Sequence, residues 1–216
     1  MKYIYLAAFL LSTPSFAQSK IECIGPEVGE AKYFYIYLHG ATQLGGHRRN
    51  VKVLKEIAKK RKVRFALPTA EWECTSPQYK GNVCWSANKA EDKYFRPALR
   101  VIEDAAAACF RNKDHGLMGF SNGAVLATTL MRNCVRTGFT GLIAVGHAVN
   151  TYRTDRLGLK GCEPQLNMLI GRSDPYYSRA KKTYDVLKSR DANVTFEEFD
   201  GKHELKIEPL LQFFPL

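Results

Sequence analysis

The stretch Gly119-Phe120-Ser121-Asn122-Gly123 constrains this chain more than any other. The apolar run from Gly116 to Phe120 reads as a strand, and a helical pattern begins directly after Ser121. A change from strand to helix across one residue requires a sharp backbone turn, and glycines at 119 and 123 leave room for it. The turn holds the serine in a strained conformation and presents its hydroxyl above the end of the strand.

Strand-like apolar runs alternate with helical patterns from Tyr33 to the C-terminus, the signature of a mostly parallel sheet covered by helices on both faces. The runs predict strands at Tyr33 to Leu38, Val63 to Leu67, Gly116 to Phe120, Gly141 to Val145, Leu166 to Ile170 and Val194 to Phe199. Helices are expected at about Gly46 to Lys60, Pro97 to Phe110, Asn122 to Asn133 and Pro175 to Ser189, with a short last one near Glu204 to Phe213. Pro68 to Arg96 stands apart, a long connection without periodicity that carries Trp72, Tyr79, Trp85, Tyr94 and Phe95. Connections of that length in compact domains commonly carry function.

Met1-Lys2, the apolar run Tyr3 to Leu11 and the small residues up to Ala17 match the three regions of a secretory signal. Residues 1–17 are therefore expected to be removed, leaving a single domain over residues 18–216 in the secreted or periplasmic space. The apolar run is far shorter than the roughly 20 residues that span a bilayer, so no integral membrane segment is expected after cleavage. All six cysteines fall beyond Ala17, and an even count in an exported chain predicts three disulfides. Cys74 with Cys84 is the most plausible pair, closing a short loop around Pro77 and Gly81, while the other pairings stay open. No CxxC and no cysteine–histidine cluster has ligand spacing, so no metal is expected.

The net charge is +11, much of it within His47 to Arg64. Val51, Leu54, Ile57 and Ala58 recur there at helical spacing, which makes the lysines the solvated face of an amphipathic helix rather than a nucleic-acid surface. His47 and His115 have no motif around them.

The strand–serine–helix turn and the alternation that surrounds it resemble the α/β-hydrolase fold, from about Lys32 to the C-terminus and without room for a large cap. The resemblance implies a serine, acid and histidine in that chain order, each on a loop after a strand. Ser121 would be the nucleophile, and His203, in Asp200-Gly201-Lys202-His203-Glu204 past the last strand, its base. Asp174, in Gly171-Arg172-Ser173-Asp174-Pro175, would be the acid, with Asp155 and Asp200 as alternatives. Asp174 and Pro175 also suit the start of the following helix. The oxyanion hole would draw one N–H from Asn122 and one from the loop Leu38-His39-Gly40-Ala41-Thr42-Gln43, from Ala41 or else Thr42. His39 would shape that loop.

This likeness extends by general layout to small carboxylesterases, polyhydroxybutyrate depolymerases and feruloyl esterases. It implies an ester substrate, small or polymeric, and no cofactor, with Trp72, Trp85 and Thr42 contacting the substrate. The same chemistry serves an acyltransferase or a peptidase, and the same scaffold serves a binding protein that has lost catalysis. The oligomeric state is left open.

Overall fold

The computed structural model describes residues 21–42, 48–85 and 92–216, apart from 112, 135–137, 149–160 and 163. Seven strands form one sheet in the order β1-β3-β2-β6-β7-β8-β9. They are β1 (Ile21–Ile24), β2 (Tyr33–Leu38), β3 (Val63–Pro68), β6 (Gly116–Phe120), β7 (Leu142–Val145), β8 (Leu166–Gly171) and β9 (Val194–Phe199). All neighbours pair in parallel except β1, which runs antiparallel to β3 at the edge.

Alternate strand residues face opposite sides, and each side is covered by helices. Tyr37, Phe65, Leu67, Met118 and Ile143 pack with Leu54, Ile57 and Ala58 of α1 (Arg48–Arg61) and with Leu210 and Leu211 of α5 (Ile207–Leu211). Ile36, Leu38, Leu117 and Ala144 pack on the other face beneath α2 (Asp92–Phe110), α3 (Asn122–Arg132) and α4 (Tyr177–Lys188). From Gly123 to Arg132 every residue of α3 is buried, polar Thr128, Thr129 and Arg132 included.

Three features depart from expectation. The edge strand β1 was not expected, and Cys23 within it is bonded to Cys109 at the end of α2. The α2 helix starts at Asp92, not at Pro97, so Pro97 lies inside it. The connection after β3 is not irregular throughout. It forms a small antiparallel hairpin, β4 (Trp72–Glu73) with β5 (Val83–Cys84), around a 3₁₀ turn at Pro77–Tyr79.

The expected Cys74–Cys84 disulfide closes this hairpin, with the two Cα atoms 4.9 Å apart. Cys134–Cys162 is the third bond, and no cysteine is free. No helix among the described residues is long and apolar enough to cross a membrane. The expected leader, residues 1–17, and with it His47 and Asp155 lie outside the described residues.

Candidate active site

The C-terminal ends of β2, β6, β8 and β9 open on one edge of the sheet, where loops gather side chains from distant parts of the chain. At the end of β6 the chain turns at Ser121, whose φ of 53° and ψ of −113° lie in a region that side-chain-bearing residues avoid. Two close approaches make the turn possible. A Cβ on Gly119 would lie 2.2 Å from the Gly123 oxygen, and one on Gly123 would lie 2.2 Å from the Leu38 oxygen. Larger residues would push the helix off the strand and with it the serine.

His203 follows β9, and its Nε2 lies 3.0 Å from Ser121 Oγ. Its Nδ1 lies 2.9 Å from Asp174 Oδ2. The Asp174 side chain is fully buried, whereas that of His203 keeps 28% of its surface exposed. The second carboxylate oxygen, Oδ1, accepts the Tyr176 N–H at 2.8 Å. That bond fixes the carboxylate plane, so Asp174 both starts the turn into α4 and orients the imidazole. With Nδ1–H donated to Asp174, Nε2 is left to accept from the serine hydroxyl. The imidazole ring is held sideways by Phe120, at 4.9 Å between centroids, and by the edge of Tyr176, at 5.2 Å.

The alternative acid Asp200 is turned away. Its carboxylate pairs with Arg172 at 3.0 Å and its side chain is 89% exposed.

The loop after β2 is shaped by buried His39. Its Nε2 accepts the Ala70 N–H at 3.0 Å, and its Nδ1–H donates to the Gly40 carbonyl at 2.6 Å, a neutral imidazole used as a brace. Asn122 is the first residue of α3, so its N–H has no acceptor within the helix. Its side-chain oxygen accepts the Trp85 N–H at 2.5 Å. Ala41, Ser121 and Asn122 line one cleft of about 910 Å³.

Of the three residues expected to touch substrate, Trp72 and Trp85 line this cleft and Thr42 does not. Trp85 is almost wholly buried, and its indole N–H donates to the His39 carbonyl at 3.1 Å. It is mainly a buttress between the two loops, with Trp72 at 6.3 Å between ring centroids. The backbone of Thr42 is occupied in pairing with Val83, where the Val83 N–H donates at 2.8 Å, which ties the loop after β2 to the hairpin.

Tyr79, from the long connection after β3, also lines the cleft, together with His147, Tyr176 and Arg179, to which the sequence assigns no role. For His147 and Tyr176 the one signal is proximity to a strand end or to the acid: His147 follows β7 by two residues, and Tyr176 follows Asp174 by two. The His147 ring is stacked on Tyr176, and the Tyr79 and Tyr176 hydroxyls are 3.0 Å apart. Burial, reinforced by the charge of Arg179 and by coupling to His203, pulls the His147 pKa down to about 4.

A mostly parallel sheet with a strained serine between strand and helix at its C-terminal edge defines an α/β-hydrolase. The chain belongs to the serine hydrolase (FSH1) family, whose sequence model matches residues 16–205. It is similar in structure to the Bacillus cereus carboxylesterase, with 19% identity, a TM-score of 0.64, and 93% of this chain and 95% of that one covered. Esterase PE8 aligns with 16% identity, a TM-score of 0.64 and coverage of 91% and 97%. The substrate-bound Staphylococcus aureus fluorophosphonate-binding serine hydrolase F aligns with 15% identity, a TM-score of 0.64 and coverage of 91% of each chain. At these identities the likeness speaks for the fold. Among curated proteins none is significantly similar in sequence.

Proposed function

We propose that the protein is an exported esterase that cleaves carboxylic esters through an acyl-enzyme on Ser121. The observation that carries this reading is the unbroken relay from Ser121 Oγ through His203 to the buried carboxylate of Asp174, at 3.0 and 2.9 Å. The serine hydroxyl is a weak nucleophile until a base within hydrogen-bond reach takes its proton. His203 Nε2 accepts that proton as Oγ attacks the ester carbonyl, and Asp174 stabilises the imidazolium that results. The carbonyl oxygen becomes an oxyanion, met by the N–H groups of Asn122 and Ala41. As the tetrahedral intermediate collapses, the bond to the alcohol oxygen breaks and His203 returns the proton to it. Water then gives a proton to His203, attacks the acyl carbon, and the acid leaves as Ser121 recovers its hydrogen. No cofactor enters these steps.

Exposure of the His203 side chain favours water over a second bound alcohol as acceptor, because solvent reaches the base directly. The esterase names of the structural relatives point the same way. Export is supported by the signal-like segment 1–17 and by the pairing of all six cysteines, which suits an oxidising compartment.

Two measurements test the reading. Turnover of a chromogenic ester by the wild type should fall by at least about a thousandfold in Ser121→Ala, and an undiminished rate would reject the nucleophile. N-terminal sequencing of protein made with its own leader should begin at Gln18, whereas an intact Met1 would reject export by cleavage.

A further inference from the structure

One wall of the cleft, next to His203, carries hydrogen-bond donors that the hydrolytic relay does not use. Arg179 is exposed, its guanidinium carbon stands 5.7 Å over the Tyr176 ring, and among the described residues it makes no ion pair. The hydroxyls of Tyr79 and Tyr176 are 3.0 Å apart, so one hydrogen lies between the two oxygens and the other remains for an outside acceptor. His147 Nδ1 accepts the Ala148 N–H at 2.8 Å, which leaves the ring proton on Nε2 as a further donor. Burial of the ring keeps it neutral, so it donates without competing with Arg179 for a counter-ion. The cleft also contains Glu71 and Glu73, on either side of Trp72. Neither is ion-paired with Arg179, and Glu73 is held to the hairpin by accepting the Gly81 N–H at 3.3 Å.

The position of this wall tells which part of a substrate it meets. His203 hands its proton to the departing alkoxide, so the alcohol portion leaves alongside the imidazole. Tyr176 touches that imidazole edge-on, and His147 and Arg179 are both in contact with Tyr176. With Asn122 and Ala41 taken up by the carbonyl oxygen, the acyl chain is left the part of the cleft lined by Trp72 and Val125.

We propose that this wall is a subsite for a carboxylate borne by the alcohol portion of the substrate, with Arg179 determining the specificity. The preferred substrates are then acyl esters of hydroxy acids, released as the free hydroxy carboxylate. A guanidinium fork matches a planar carboxylate with two parallel N–H donors, and the tyrosine pair and His147 add neutral donors beside it. The proposal rests on the assignment of Ser121 and His203 to ester cleavage, since that assignment fixes the leaving-group side.

The test uses a matched pair, 4-butyryloxybutanoate and neutral butyl butyrate, with butyrate release as the readout in both cases. The wild type should favour the acid-bearing ester in kcat/KM. Arg179→Gln should lower the ratio of the two kcat/KM values by about tenfold or more, mainly through KM, and Arg179→Lys should restore part of it. An unchanged ratio in Arg179→Gln overturns the proposal. Calorimetric titration of 4-hydroxybutyrate needs no turnover and separates the two claims. Binding that weakens about tenfold in Arg179→Gln while neither ester is cleaved upholds the anion subsite and removes the esterase reading. Cleavage of both esters with no dependence of binding or ratio on Arg179 removes the subsite and leaves the esterase reading intact.

Discussion

The ring of His147 lies face to face with that of Tyr176, 4.2 Å between centroids and 13° from parallel. Buried in this stack, and with Arg179 and His203 nearby, the imidazole takes up a proton only at about pH 4, against 6.5 for the free side chain. The unfolded chain takes up that proton at higher pH than the folded one. The stability contributed by neutral His147 is therefore complete above pH 6.5 and is lost as pH falls toward 4, by about 2–3 kcal/mol at pH 4.5. Melting temperatures measured from pH 7.5 to 4.5 should fall about 5–10 °C less in His147→Gln than in the wild type. Parallel curves would show that His147 is not the group titrating.

The backbone of Ser121 stores strain of about 1–3 kcal/mol, because its φ of 53° and ψ of −113° suit glycine alone. Ser121→Gly should release that strain against a smaller entropic loss from the more flexible unfolded chain. A net gain of about 1 kcal/mol in chemical denaturation, together with abolished turnover, is the expected outcome. A less stable variant would mean that the turn is relaxed as built.

How much of this was legible beforehand follows from what a sequence records. Order along the chain and the ends of apolar runs are sequence quantities, so the serine turn, the loop after β8 and the loop after β9 could all be located. Direction is not one of them. Asp174 and Asp200 both follow a strand, and only the fold turns one inward to His203 and the other outward to Arg172. Strand β1 leaves no readable pattern because four residues are too few for a period to emerge, and its partner lies more than forty residues away in β3. Pro97 suits a helix start by its usual preference, whereas α2 begins five residues before it and runs through it. The group of His147, Tyr176 and Arg179 joins the loop after β7 to the start of α4 and has no local pattern at all.

The Cys74–Cys84 bond spans ten residues and carries Tyr79 to the Tyr176 hydroxyl on the opposite loop. Closing so short a loop contributes about 2–3 kcal/mol by removing freedom from the open chain. In the double variant Cys74→Ala/Cys84→Ala the hairpin should open more readily, trypsin should cut after exposed Lys80, and KM should rise several-fold with a smaller change in kcat. Unaltered protease resistance and KM would show that the hairpin is held by its other contacts.

The central claim is that His203 activates Ser121, and covalent labelling with a fluorophosphonate reads this without any knowledge of the substrate. Peptide mapping by mass spectrometry should find a single adduct on Ser121 in the wild type, with labelling slowed by about a thousandfold or more in His203→Gln. An adduct on another residue, no adduct at all, or a rate indifferent to the loss of His203 would contradict it.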